Sequence, residues 1–300
     1  MIQQTNLDPS ITNKTADLVS GLTSYILLFE DDEIDIPDDN SQVIKAESFE
    51  EAADFLRLLG DSCLPLLSSE YRRIHPGIYE RLIDIASSER SAEAPFNIGQ
   101  AELLLNKLPL DLKSLTKSHI ALRSDDKAPP LIDKSYVHKN LDANVLVSEP
   151  FITGWLRYFN IFTNTTEFNF DHDSDHIQGM LLLEALRQAG IASAHYQGLP
   201  LDGKLALLNY NTKFFQFLDK EAPIICRTYC SFTTKESDPD KEACIYIQVM
   251  QWGRLCADTI LKAFACMNKT RCDVKEDRLK KILTRQKVNF ESKVEKFMEC

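Results

Sequence analysis

The feature that most limits what this chain can become is DHDSDHIQGMLLLEALRQAG, residues 171–190. From Gly179 to about His195 the residues are apolar nearly all round a helix, and segments on both sides carry strand patterns. At about 100° per residue, Glu184, Arg187 and Gln188 share one arc, while Leu182, Ala185, Leu186 and Ala189 lie opposite. A helix with so little polar surface is buried. The segments WLRYFNIF (155–162), LALLNYNTKFFQFL (205–218), IICRTYCSF (224–232) and ACIYIQVMQW (243–252) alternate or are rich in aromatic and β-branched residues, and ANVLVS (143–148) reads the same way. The pattern predicts an α+β arrangement over 131–268, a strand-rich sheet wrapped around one helix.

Upstream, the polar, proline-bearing stretch RSDDKAPPL (123–131) marks a boundary at which the periodicity changes from about 3.6 to 2. Residues 1–130 read as an acidic, mainly helical region. Ser48 and Glu51 form a capping-box pattern ahead of Phe49, Ala52, Ala53, Leu56, Leu58 and Leu59, which recur at helical spacing until Gly60. Further helices are expected at about 62–74, at 76–88 with Pro76 in its first turn, and within 99–122. YILLFEDDEIDIPDDN (25–40) allows only a brief element, and 1–20 reads as a frayed terminus. The tail, 269–300, is a basic amphipathic helix with Leu279, Ile282, Leu283, Phe290, Val294 and Phe297 on a stripe, expected to dock on the body rather than lie on a membrane.

Of the 300 residues 44% are apolar and 26% charged, which excludes disordered, collagenous and small disulfide-framework classes. No run approaches a membrane span and no basic-then-apolar leader opens the chain, so the expectation is a cytoplasmic protein. The net charge of −11 is uneven, with 23 acidic and 12 basic side chains in 1–130 and 22 of each beyond. Such a surface gains nothing by counterion release, so nucleic acid is not an expected partner. The eight cysteines form no CxxC pair and are expected to be reduced and packed, with no disulfide or metal role. GxSxG, P-loop and GxGxxG motifs are absent. The DxDxDH string fails as a calcium loop, because His176 stands where glycine is needed and Leu182 where a bidentate Glu is needed. Neither a cofactor nor a metal is expected.

A buried carboxylate must be paired, protonated or open to a pocket. Glu184 therefore has two readings. It bonds Arg187 or Gln188, three and four residues on, as a structural tie. Alternatively it forms the floor of a substrate tunnel as a general base or hydroxyl acceptor, its pKa raised by burial. The preceding loop supplies His172, Asp175 and His176. Gly179 lets the chain turn closely, the helix-start amides suit an oxyanion, and His176 is either a proton donor or solvent-exposed.

LIDKSYVHKNLDANVLVSE (131–149) followed by DHIQGMLLLEALRQAG (175–190) resembles the A-factor biosynthesis (AfsA-type) hotdog family, which shows a Val-His-Arg/Lys start, a Val-Leu-Val strand and a Leu-Leu-Glu-Ala-x-Arg-Gln helix. GRLCADTILKAF (253–264) resembles that family's closing strand. The resemblance implies a hotdog fold, an antiparallel sheet curled around a long central helix, with the helical N-terminal region and the C-terminal helix as additions. Known members join a β-ketoacyl group from acyl carrier protein to the hydroxyl of dihydroxyacetone phosphate. The helix is also similar to that of β-hydroxyacyl carrier-protein dehydratases, whose catalytic positions carry over to His176 and Glu184. Gln178 stands where dehydratases have Pro, and this chain shows one hotdog repeat where many family members have two. The resemblance thus implies an acyltransferase in which Glu184 takes the acceptor proton, with Arg187, Gln188, Gly179 and His138 in the binding set and Arg187 or His138 offering charge to a phosphate. Its expected partners are acyl carrier protein or acyl-CoA and a small hydroxylated acceptor. The alternatives are a hotdog dehydratase or thioesterase, and a non-catalytic acyl-binding or assembly protein. A single repeat is expected to pair with a second copy as a two-fold homodimer.

Overall fold

The computed structural model describes residues 25–34, 42–88, 91, 93–112, 119–167, 174–235 and 238–298. The expectations for 1–20 and for His172 lie outside them.

Period-2 segments make one six-stranded antiparallel sheet. Its members are β4 (Phe151–Thr153), β5 (Leu156–Ile161), β6 (Lys204–Phe214), β7 (Ile224–Lys235), β8 (Asp238–Gln251) and β9 (Arg254–Cys266), in the order β4-β5-β7-β8-β9-β6. Alternation along each strand sends successive side chains to opposite faces. Phe159, Cys226, Cys230, Ile245, Ile247 and Leu261 enter one core, wrapped on the helix Gly179–Tyr196. Tyr158, Ile225, Tyr229, Tyr246 and Met250, their neighbours in sequence, enter another. ANVLVS forms no extended strand; it holds a 3₁₀ turn at Asp142–Asn144 and two isolated bridges.

The second core belongs to the N-terminal region. Besides helices α1 (Phe49–Leu59), α2 (Ser69–Ile74), α3 (Ile78–Ser87) and α4 (Ile98–Lys107), that region contains a three-stranded parallel sheet that the helical reading did not anticipate. Its strands are β1 (Tyr25–Phe29), β2 (Gln42–Ala46) and β3 (Cys63–Pro65), in the order β2-β1-β3. The helix expected at 62–74 divides into β3 and the short α2, because Leu64 and Pro65 pair with Ile26 and Leu27. At α1 the Ser48 hydroxyl accepts from the Glu51 N–H, while the Glu51 carboxylate reaches the Glu47 N–H one residue before the cap.

This region covers the sheet's outer face and shares its core. Tyr25 and Tyr158 hydroxyls meet at 2.6 Å, and the Tyr229 hydroxyl donates to the Phe96 carbonyl. The fully buried Arg227 of β7 donates to the carbonyls of Leu105 and Pro109 at the end of α4 and to Gln248 Oε1. Gly154, in the turn between β4 and β5, has φ +56°, and a Cβ there would lie 2.3 Å from the Leu58 carbonyl oxygen, so the backbones of the two regions come close together here.

The helix Gly179–Tyr196 is α5, and α6 spans Lys269–Met298. The first turns of α6 meet the body through Cys272, disulfide-bonded to Cys266 of β9, and through Asp273 and Glu276, which pair with Lys204. The disulfide corrects the expectation of reduced thiols throughout, since the end of β9 and the start of α6 bring these two Cα atoms to 5.9 Å. Cys63, Cys226, Cys230, Cys244 and Cys256 are free and buried, as a small apolar side chain would be. Beyond Leu279 the described side chains of α6 are exposed, so it docks by its first turns and not along its length.

Candidate functional site

The polar face of α5 does not meet the sheet. It meets a strap formed by residues 131–149, whose 3₁₀ turn Lys134–Val137 lies along it. Glu184, Gln188 and His195 fall within about 40° of one another on α5, and each meets a group on the strap. Gln188 is fully buried and accepts from the Leu146 N–H while donating to the Asn144 carbonyl and to Glu184 Oε1. Its amide protons are therefore both used, and it ties helix to strap.

Glu184 is the centre of a four-donor clamp. Arg187 donates from Nε and Nη2 at 2.8 and 2.7 Å, Gln188 at 3.0 Å, and Lys139 Nζ lies 2.9 Å from Oε1. Lys139 also pairs with Glu167. Burial is the largest single influence on the Glu184 pKa and would raise it. The hydrogen bonds from Arg187, Lys139 and Gln188, with the Arg187 charge, outweigh burial and take it down to about 2. The expected raised pKa is thus corrected. Glu184 is ionised, and it makes the structural bonds to Arg187 and Gln188 that its spacing allowed. Arg187 keeps a third of its side chain exposed, whereas Lys139 is nearly enclosed.

His138 stands beside Lys139, with its Nε2 2.9 Å from Nε2 of His195. It caps the 3₁₀ turn in the left-handed region at φ 54°, an uncommon conformation for a residue with a Cβ. Partial burial of the ring, then the nearby His195, Arg187 and Lys204, lower its pKa to about 4. At neutral pH it is therefore uncharged, which corrects the expectation that it offers charge to a phosphate. His195 is also lowered, chiefly by burial.

His176 is elsewhere. It lies ahead of α5, with Nδ1 at 2.9 Å from the Ser174 hydroxyl and 3.1 Å from Asp175 Oδ1, and its ring 4.8 Å from that of Phe217. Among the described residues no bond joins it to Glu184. Gly179 is the first residue of α5. A Cβ there would lie 3.9 Å from Phe214, an ordinary contact, so no tight turn demands the glycine. The structure therefore brings together Glu184, Arg187, Gln188 and, through the strap, His138; it leaves out His176 and Gly179. Sequence reasoning missed Lys139, Glu167 and His195. The signal for His195 was present, since it lies eleven residues after Glu184 and hence on the same helix face.

Among the described residues no group of three or more His, Cys, Asp or Glu side chains is placed to hold a metal, and no helix is long and apolar enough to cross a membrane. The strand order, with the central helix inserted between β5 and β6, and the Val-His-Lys strap seated on the Glu-Ala-Leu-Arg-Gln helix join the two sequence motifs in space. Residues 120–267 match the A-factor biosynthesis hotdog domain family, AfsA. The match begins ahead of the 131 boundary and takes in Ala121, whose N–H and carbonyl are both bonded by the Asn160 amide of β5. No curated protein matches the chain. Solved structures similar to it include a putative thioesterase, a phenylacetic acid degradation-related protein from Ralstonia eutropha JMP134 (14% identity, TM-score 0.29, covering 36% of this chain and 75% of that one). A putative thioesterase from Shewanella oneidensis (11%, 0.31, 45% and 87%) and an HP0420 homologue from Helicobacter felis (12%, 0.33, 45% and 88%) are others. The matched domain is an antiparallel sheet wrapped on a central helix, the hotdog arrangement, with a helical and parallel-stranded region on its outer face and a helix at its end whose far half is exposed.

Proposed function

We propose that this AfsA hotdog protein transfers an acyl or β-ketoacyl group from a carrier-protein or CoA thioester to a small, phosphate-bearing hydroxylated acceptor. The observation that carries the reading is the clamp on Glu184. Four donors already occupy its two oxygens, which leaves it poorly placed to take a proton from a substrate. This counts against dehydration or hydrolysis with Glu184 as the base. Its chemistry is to orient Arg187, the cation of the cluster that reaches solvent, for an anionic acceptor. Glu184 is then a positioning residue.

Incubating the full chain with β-ketoacyl carrier protein and dihydroxyacetone phosphate tests this. Ester formation is expected, with the KM for the phosphate acceptor raised at least tenfold in Arg187→Ala and less in Arg187→Lys. Absence of ester with wild type sinks the reading. One observation favours a second reading, an acyl-binding assembly protein: the sheet's outer face is sealed by a region that shares its core, an addition transfer does not require. Acyl binding without turnover on any thioester, unaltered in Arg187→Ala, selects that alternative.

The proposed assembly is a homodimer through β6. This edge strand pairs on one side with β9 and exposes Leu207, Leu208, Phe214 and, just beyond it, Phe215. Apolar edges of this kind are normally paired or covered, and the N-terminal region covers the sheet's face instead. Light scattering is expected to give about 68 kDa, twice the 34.2 kDa chain, and Leu208→Lys should return it to the monomer. A concentration-independent monomer from the unaltered chain refutes the pairing.

A further inference from the structure

Beyond the clamp, an open cleft of about 670 Å³ lies among the end of β9, the start of β6 and the first turns of α6. Leu201, Leu205, Ala206, Phe264 and Leu279 give it an apolar wall, and His138 lines it too. Three lysines, Lys204, Lys269 and Lys275, stand around it against two carboxylates, Asp202 and Glu276. Size, apolar wall and a few convergent polar groups are the general marks of a small-ligand site. The apolar wall suits an apolar chain.

The histidine pair gives the cleft a chemical direction. His195 Nδ1 lies 3.0 Å from the Leu199 carbonyl, which can only accept, so Nδ1 carries the proton. Neutral His195 is therefore bare at Nε2. The 2.9 Å contact then requires His138 Nε2–H to donate, and this fixes His138 Nδ1 as the bare nitrogen. That lone pair belongs to a side chain lining the cleft, held in a left-handed backbone conformation by N–H bonds to the Lys134 and Ser135 carbonyls. An uncommon conformation that its surroundings enforce is a mark of function. Arg187, the cation assigned to the acceptor, is near enough for its charge to act on His138.

We propose that the cleft holds the acyl chain of the thioester and that His138, oriented by His195, carries the proton during transfer. The inference rests on the acyl-transfer reading above. His138 Nδ1 takes the proton of the acceptor hydroxyl as that oxygen bonds to the thioester carbonyl carbon. The C–S bond then breaks, and the leaving thiolate receives the same proton from His138. An ester and a free thiol result, with no oxidant or reductant involved.

The test uses the full chain and two readouts: binding of S-octyl-pantetheine, a thioether with no acyl group to transfer, and ester formation from the octanoyl thioester. Ala206→Trp fills the cleft from an exposed strand position and should weaken thioether binding at least tenfold. His138→Gln should retain binding and lose ester formation by about 10²-fold or more. His195→Ala should lose rate likewise, with His195→Gln, whose amide oxygen accepts the same bond, recovering much of it. Nitrogen NMR of the wild type should find His138 bare at Nδ1 and protonated at Nε2, and this stands even where a variant misfolds. Unchanged binding in Ala206→Trp overturns the cleft, and wild-type rates in His138→Gln or the opposite tautomer overturn the proton carrier. Should wild type bind the thioether through the cleft yet form no ester with any acceptor, the transfer reading fails while the cleft stands.

Discussion

The two sides of the hotdog each hold a charge largely out of water, one on the sheet's outer face and one on the central helix, and they settle it differently. On the outer face Arg227 is fully buried and its donors end on neutral oxygens, the Leu105 and Pro109 carbonyls and the Gln248 amide. On the inner side Glu184 is held by Arg187, Lys139 and Gln188, and Arg187 remains partly open to solvent. Carbonyls at a helix end attract a cation and fix one geometry. Charged side chains on a strap can exchange a partner for a ligand. The outer charge therefore ties the two regions together, while the inner one leaves a cation within reach of solvent.

The largest expected effect tests the outer face. Replacing Arg227 by Met leaves the carbonyls at the end of α4 without donors and should cost about 3 kcal/mol, as for breaking other buried charged hydrogen bonds. Urea unfolding would measure it, and a loss below about 1 kcal/mol would show that the N-terminal region does not depend on this tie. Gly154→Ala addresses the same junction through the backbone. A Cβ at φ +56°, 2.3 Å from the Leu58 oxygen, cannot be accommodated without moving α1, so about 2 kcal/mol is expected. A near-neutral result would mean the two regions slide freely here.

The inner face is tested by pH. The Glu184 pKa is lowered in the folded chain, so its contribution is complete above the unfolded value near 4.5 and is lost as pH falls through that value toward about 2. Comparing wild type with Glu184→Gln should give a difference of about 2 kcal/mol at pH 6 that shrinks steadily below pH 4.5. A constant difference across that range would mean that the clamp does not hold the carboxylate ionised.

How much of this was legible in the sequence follows the same division. The strands of the hotdog were readable because each buries one face, and residues such as Tyr158 and Phe159 record both cores by alternating. The N-terminal parallel sheet was not. Its strands are three to five residues long, and Cys63–Pro65 runs directly into a helical pattern. The face bearing Glu184, Arg187 and Gln188 followed from 100° arithmetic, but the sign of the Glu184 shift did not. The lysine that helps reverse it stands forty-five residues earlier, and periodicity carries no information about that contact. His138 was singled out from its motif yet given the wrong charge, because its partner His195 was read as part of the apolar helix.

The smallest expected effect concerns the part of the chain that belongs to neither face. In α6, Cys272, Glu276 and Leu279 share with Leu283, Phe290 and Phe297 one stripe at helical spacing. The first three meet the body or line the cleft, and the last three are exposed at 54%, 68% and 82%. Their burial contributes nothing to the fold of a single chain, so ending the chain after Leu279 should change unfolding free energy by no more than about 0.5 kcal/mol. The disulfide and the Lys204 ion pairs, all before that point, would remain. A loss of 2 kcal/mol or more, independent of protein concentration, would show that the far half of α6 folds back on its own body. A loss that grows with protein concentration would instead place that stripe against a second copy, since only an intermolecular contact makes stability depend on concentration.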